Sequence, residues 1–173
     1  MERYQKGDYV QYGVSGVCFI EDVRRDELDR KSAGDYYVLK PVGERGSTIL
    51  VPTDNERLVA RMASLPSPEE LDALVASTRE ETFPWIDDRK ERNLAFQAAI
   101  KRCDLRELLC LAEAIYRRRQ NLLDEGKKLS AADENILRRA EGLIENEVGF
   151  VLGLEGQQVE EYILEKLEIG TAE

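Results

Sequence analysis

Two short runs of residues, Asp8-Tyr-Val-Gln-Tyr-Gly-Val14 and Val17-Cys-Phe-Ile-Glu-Asp-Val23, decide the fold of the N-terminal third of the chain. Both are rich in aromatic and β-branched residues, and Ser15-Gly16 separates them, so they predict two strands joined by a turn. Further strands are predicted at residues 35–40 and 47–51. Four or five short strands in about sixty residues shield their core only if the sheet curls on itself. We therefore expect a small SH3- or Tudor-like β-barrel over residues 1–63.

The second of these runs also indicates which side chains point inward. Successive side chains of a strand point to opposite faces of the sheet. We expect Val17, Phe19 and Val23 on the buried face, with Glu21 and Arg24 outside. Strict alternation is not complete along this run.

A helical pattern replaces the strand pattern after Arg61. Ser67 has the position of a helix N-cap, Pro68 that of the first helical residue, and Glu70 that of the third residue of a capping box. Residues 64–82 are assigned to a linker and a short helix. Further helix starts are predicted at Asp104 and Ser130, and a last amphipathic segment at residues 159–169. The fold class is therefore α+β, with an all-α helical bundle over residues 83–173 that ends in an acidic helix.

The composition excludes much of enzyme chemistry. The 173 residues contain no histidine, so Ser-His and Cys-His nucleophiles and His-ligated metals are absent. Carboxylate pairs such as Asp87/Asp88 and Glu160/Glu161 are adjacent in sequence, and adjacent helical residues do not face each other. No phosphate-loop motif occurs. We expect no enzyme activity, no cofactor and no metal site.

The lack of a recognisable targeting signal and the usage of cysteine predict a cytoplasmic protein. No apolar run is long enough to span a bilayer, and no signal-peptide core follows Met1. The three cysteines, Cys18, Cys103 and Cys110, form no metal pattern and are odd in number, which suits a reducing compartment.

Charge is unevenly distributed along the chain, whose formal net charge is −10. Residues 83–129 carry 11 Lys+Arg against 8 Asp+Glu, whereas residues 130–173 carry 3 against 11. The basic stretch begins beside Trp85, the only tryptophan. Two interpretations stay open. The cations can lie on solvated helix faces, with partners such as Glu113 for Arg117 and with Trp85 as a half-buried anchor. Alternatively, the indole can act as an apolar wedge beside phosphate-binding cations.

Several segments, in order and spacing, resemble the CarD-type transcriptional regulators (the CarD/CdnL group). They are residues 7–17, 36–39, 50–55, 111–119 and 129–134, together with Trp85, Arg89, Arg92 and Asn93. Two departures from the family pattern stand out. Ser15 replaces a common histidine, and Asp87-Asp88 places two carboxylates after the tryptophan.

The resemblance implies a bacterial protein with a Tudor-like module that binds the β subunit of RNA polymerase, as does the similar module of the transcription-repair coupling factor. It implies that the helical domain contacts promoter DNA at the upstream edge of the transcription bubble and modulates the stability of the open complex. A monomer is expected, with a domain-swapped dimer as the alternative. The competing function is a protein-only adaptor that binds polymerase or another protein without significant DNA contact.

Site residues are carried over by position. The implied DNA contacts are Trp85 as the wedge and Arg89, Lys90, Arg92, Arg117, Arg118 and Arg119 as phosphate ligands. The implied polymerase contacts are Arg24, Arg25, Ile49, Leu50 and Val51.

Overall fold

The computed structural model describes residues 3–25 and 34–168. The chain divides into two compact units, Met1–Leu65 and Pro66–Glu173. We call them the sheet unit and the helical unit.

The sheet unit is a curled five-stranded antiparallel sheet, which confirms the α+β prediction. Its order is β4-β3-β2-β1-β5, so β4 and β5 form the two edges. The elements are β1 (Tyr9–Tyr12), β2 (Val17–Arg25), β3 (Asp35–Pro41), β4 (Ile49–Pro52), α1 (Glu56–Val59) and β5 (Met62–Ser64). A 3-10 turn, Gly13–Ser15, joins β1 to β2. Gly16 follows it with φ 76°, a conformation that favours glycine.

A β-bulge in β2 decides which of its side chains face the core. Ile20 pairs with Leu39 and Asp22 pairs with Val38, so Glu21 is the extra residue. Val23 packs against the core as expected, and Glu21 and Arg24 are exposed.

The expectation for Phe19 is wrong. Cys18 and Ile20 lie in the core instead, because the extra residue shifts the alternation between them and Val23. Phe19 lies on the opposite face, where its ring is 5.0 Å from that of Tyr9.

The helical unit contains five α-helices among the described residues: α2 (Pro68–Ser77), α3 (Arg89–Arg102), α4 (Leu105–Asp124), α5 (Ala131–Leu152) and α6 (Gln157–Glu168). The capping box of Ser67 and Glu70 is confirmed by both of its hydrogen bonds. The predicted caps Asp104 and Ser130 also accept from the backbone N–H three residues on. None of the described helices is long and apolar enough to cross a membrane.

One apolar core runs through the helical unit. Leu71 and Val75 of α2 are fully buried in it, so α2, which lies in the segment assigned to a linker and a short helix, packs with the later helices. Polar contacts also join α2 and its following turn to α6, among them an ion pair of 3.5 Å between Lys166 and Asp72. The Tyr162 hydroxyl donates to Asp72, and the Arg79 guanidinium donates from Nε to the backbone oxygen of Lys166 at 3.1 Å.

Candidate functional site

Trp85 lies in the segment that leads into α3, with its indole half-buried against the helical core. The indole meets the ring of Phe96 edge-on, with 5.9 Å between centroids, and Phe83 contacts Phe96 in the same way at 5.7 Å. Aromatic pairs favour this tilted geometry. Trp85 is thus a core anchor that still presents part of its surface.

Arg92 is not a surface cation. Its side chain faces inward from the first turn of α3, and the residue is 7% exposed. Nε and Nη2 donate to Oδ1 and Oδ2 of Asp133 at 3.2 and 3.0 Å. Nη1 donates to the backbone oxygens of Ile86 and Asp87 at 2.8 and 3.1 Å. Since the Ser130 hydroxyl also donates to Asp133, the guanidinium is used inside the protein and not presented to a phosphate.

Two guanidinium groups lie over the Trp85 ring. The Cζ atom of Arg92 is 4.7 Å from the ring centroid, and that of Arg118 is 5.5 Å away. Both distances are in the range of cation–π attraction. Arg118 reaches the indole from α4 and is exposed to solvent. The predicted wedge and two of its predicted phosphate ligands are therefore brought together.

The run Arg117–Arg119 points in three directions, because successive residues of a helix are separated by about 100°. Arg117 is paired with Glu113, the partner that the sequence suggested. Arg119 is 3.5 Å from Glu134 and lies over the ring of Tyr116. Arg118 alone of the three reaches Trp85.

Arg89 and Lys90 are exposed in the first turn of α3. Asp88 directly before them is the N-cap of that helix, since its Oδ1 accepts from the backbone N–H of Glu91 at 2.8 Å. The second carboxylate after the tryptophan thus has a structural role. A capping signal three residues before Glu91 was readable in the sequence.

β4 is an edge strand, and its residues differ in what they offer a partner. Val51 is fully buried in the sheet core, Ile49 is half-buried, and Leu50 is 58% exposed. Thr53 N–H donates to Asp35 O at 2.9 Å, so these two residues form a hydrogen-bonded pair of the β3–β4 ladder. Hydrogen-bonded and non-hydrogen-bonded pairs alternate along an antiparallel ladder. Leu50 therefore belongs to a non-hydrogen-bonded pair, and its N–H and C=O point away from β3 toward the open edge. Leu50 thus offers a partner both an exposed apolar side chain and backbone N–H and C=O groups that point away from the sheet.

Arg24 is exposed near the end of β2 and is tied to a neighbouring carboxylate. Its Nε donates to Oδ2 of Asp22 at 3.0 Å, and this hydrogen bond lowers the pKa of the Asp22 carboxyl. The side chain of Arg25 lies outside the described part of the chain.

Glu147 and Glu81 of the helical unit also have shifted pKa values. Glu147 of α5 is buried, and burial, followed by the charge of Asp104, raises its pKa to about 7. The Arg106 guanidinium forms a two-point ion pair with Glu81 and lowers the pKa of that carboxyl. Within residues 3–25 and 34–168, no three Cys, Asp or Glu side chains are grouped so as to hold a metal ion.

Comparison with known families identifies the sheet unit. Residues 4–63 match the model of the CarD-like/TRCF RID domain, which confirms the resemblance for this part of the chain. No curated protein matches the chain. The domain implies a transcription-related protein that interacts with RNA polymerase.

Proposed function

We propose that this chain is a transcriptional regulator that docks on the β subunit of RNA polymerase and contacts promoter DNA at the upstream edge of the bubble, where it modulates open-complex stability. The observation that carries the proposal is the CarD-like/TRCF RID domain, because its match at residues 4–63 covers almost the whole sheet unit. Docking belongs to this unit and DNA contact to the helical unit.

The β4 edge supports the docking step. An extended segment of a partner can add to an open sheet edge through main-chain hydrogen bonds, with side-chain pockets supplying specificity. Leu50 turns its backbone groups toward that edge and exposes its side chain. Val51 serves the core of the unit instead, and we leave it out of the docking surface.

The surroundings of Trp85 support the DNA step. The half-buried indole is next to exposed Arg118, and Arg89 and Lys90 lie exposed on the adjoining helix. A net charge of −10 disfavours binding to DNA in general, which depends on neutralising phosphates. Docking on polymerase raises the effective concentration of the helical unit at the promoter, so a weak intrinsic DNA affinity is sufficient. Arg92 is left out of the phosphate ligands because its donors are used by Asp133 and the backbone.

The decisive experiment measures the lifetime of open complexes formed by a bacterial polymerase, with wild-type protein and with Trp85→Ala. We expect wild-type protein to change the lifetime and the variant to lose this effect, because an indole in a distorted step favours the melted state only by differential binding. Leu164→Ala is the control, since it removes an exposed apolar side chain elsewhere in the helical unit. A Trp85→Ala protein that folds and acts like wild type contradicts the DNA step.

A protein-only adaptor is the second candidate function. The exposed carboxylate of Asp87 beside the tryptophan and the internal use of Arg92 both favour it, because they reduce the positive charge available to DNA. The salt dependence of binding to a polymerase complex with fork DNA separates the two functions. DNA contact adds a steep dependence on salt that is missing with polymerase alone, whereas an adaptor binds equally in both cases.

A further inference from the structure

The two guanidinium groups over Trp85 differ in how firmly they are held, and we propose that Arg118 is an exchangeable cover of the indole. In the free protein its guanidinium lies over the Trp85 ring, and it leaves for a DNA phosphate when the indole enters the groove. This inference rests on the proposed DNA contact and adds a specific role for one arginine of the run.

Arg92 is the fixed partner. Its three guanidinium nitrogens donate to Asp133 and to two backbone oxygens, and the side chain is buried. Moving it would leave a carboxylate in the core without its partner, which is strongly unfavourable. Arg92 therefore stays next to the indole in free and bound protein alike.

Arg118 is held far less firmly. It is exposed, and among the described residues it contacts the Trp85 ring. Its neighbours Arg117 and Arg119 each have a carboxylate partner, in Glu113 and Glu134. A cation–π contact at an exposed site is weak, whereas a two-point hydrogen bond from arginine to a phosphate is among the stronger polar contacts. The exchange is therefore favourable once an opened base step takes up the indole and a phosphate is within reach.

The exchange couples insertion of the Trp85 indole to binding of a DNA phosphate by Arg118. While Arg118 covers the indole, less apolar surface is exposed to water, and a cation is kept at the place where the DNA backbone arrives. At an ordinary duplex, releasing Arg118 would leave the indole exposed to water, because no opened step takes it up. The cover thus favours distorted DNA over ordinary duplex.

The first arm of the test uses the tryptophan fluorescence of the full chain, excited at a wavelength that the seven tyrosines do not absorb, so that it reports on Trp85, the only tryptophan. We measure acrylamide quenching of wild type, Arg118→Gln and Arg117→Gln. Loss of the cover is expected to raise the quenching constant for Arg118→Gln by up to ~2–5-fold, the population change that an exposed cation–π contact supplies. Arg117→Gln, whose arginine pairs with Glu113, is expected to match wild type. Unchanged quenching in Arg118→Gln overturns the cover.

The second arm measures the affinity of the same full-length variants for a polymerase complex with labelled fork DNA at several salt concentrations. Arg118→Gln is expected to lower the slope of log affinity against log salt by about 0.9, the value for one lost phosphate contact. Arg118→Lys is expected to keep the slope but to be quenched more than wild type, since an ammonium binds phosphate without the planar stacking of a guanidinium. Raised quenching in Arg118→Gln with an unchanged slope overturns the exchange alone. A wild-type protein with no DNA-dependent salt slope overturns the exchange and the proposed DNA contact together.

Discussion

In the described part of the sheet unit the buried side chains are apolar or aromatic except for Gln11, whereas the helical unit buries Arg92, Asp133 and Glu147. The candidate contact surfaces differ in the same way. Leu50 lies at a sheet edge, outside the core of its unit. Trp85 packs on the core residue Phe96 and lies over buried Arg92. Changes at the first surface should alter binding alone, while changes at the second should alter binding and stability together.

The largest expected effect is at Asp133. Asp133→Ala removes the carboxylate that pairs with Arg92 and leaves a buried cation, which should cost about 3–5 kcal/mol in the free energy of unfolding. Trp85 fluorescence during urea unfolding reports on the helical unit specifically, because that unit holds the only tryptophan.

Two controls sharpen this result. Asp87→Ala removes an exposed carboxylate nearby and should leave stability almost unchanged. The double variant Arg92→Met with Asp133→Leu should be more stable than Asp133→Ala, because it removes both charges. Equal stabilities of Asp133→Ala and Asp87→Ala would show that the Arg92–Asp133 ion pair does not stabilise the helical unit.

The next effect concerns pH and Glu147, whose folded-state pKa is about 7 because of burial and the charge of Asp104. A carboxyl whose pKa is raised on folding destabilises the folded state once the pH exceeds its unfolded value, and the cost grows until the pH passes the folded value. Its penalty is therefore absent below about pH 4.5 and complete above about pH 7. Glu147→Gln should stabilise the helical unit at pH 8 by roughly 2–3 kcal/mol and have little effect at pH 4.

This prediction is checked by urea unfolding of Glu147→Gln and wild type at both pH values. Glu145→Gln is the control, because Glu145 is an exposed glutamate on the same helix. A Glu147→Gln gain of the same size at pH 4 and pH 8 would mean that side-chain packing and not ionisation causes it.

A smaller effect, confined to binding, is expected at Leu50. Leu50→Asp should weaken polymerase binding by about 1–2 kcal/mol, because a charge replaces an apolar side chain at the docking edge. The stability of the sheet unit should not change, since Leu50 is outside its core. Binding of the full chain to polymerase without DNA measures the effect.

Val14→Asp is the matched control for Leu50→Asp, because Val14 is equally exposed at 58% but lies in the 3-10 turn. If both variants bind like wild type, the β4 edge is not the docking surface. If Leu50→Asp unfolds the sheet unit, the expectation that Leu50 contributes to binding and not to the stability of this unit is wrong.

The smallest effect is at Asp88. Asp88→Ala removes the N-cap of α3 and should cost about 1 kcal/mol in the stability of the helical unit. It should also shift Trp85 fluorescence, because the cap precedes the turn that carries Arg92. Asp88→Ser removes the charge but keeps a capping oxygen, so it should retain most of the stability. If the charge of Asp88 caused the effect, Asp88→Ser would lose as much stability as Asp88→Ala.

Local signals were readable from the sequence and were confirmed. Ser67, Asp104 and Ser130 were predicted as helix caps, and each accepts from the N–H three residues later. Such a bond depends on neighbours within one turn, so the residue types are sufficient to predict it. The curled antiparallel sheet followed by helices was likewise predicted, because periodicity and turn residues are local properties.

The placement of two side chains was not readable from the sequence, for a common reason. Phe19 was expected in the core, but the bulge at Glu21 exchanges the faces of β2, and a bulge is created by pairing with β3. Arg92 lies in the basic stretch of the sequence, but its side chain is buried against Asp133, which is 41 residues away in the sequence. Neither β-strand pairing nor a distant ion pair leaves a mark on the spacing of nearby residues.

The amino-acid sequence alone determined the fold class, the positions of the helix caps and the basic stretch around Trp85. It also determined the resemblance of the first sixty or so residues to the CarD-type regulators. Each of these depends on residue type and short-range order. Only the tertiary structure decided which arginine is locked in the core and which stays available beside Trp85. Charge and spacing are the same for a buried and an exposed arginine. What separates Arg92 from Arg118 is the presence of Asp133 within hydrogen-bonding distance, and only the packing of α3 against α5 creates that contact.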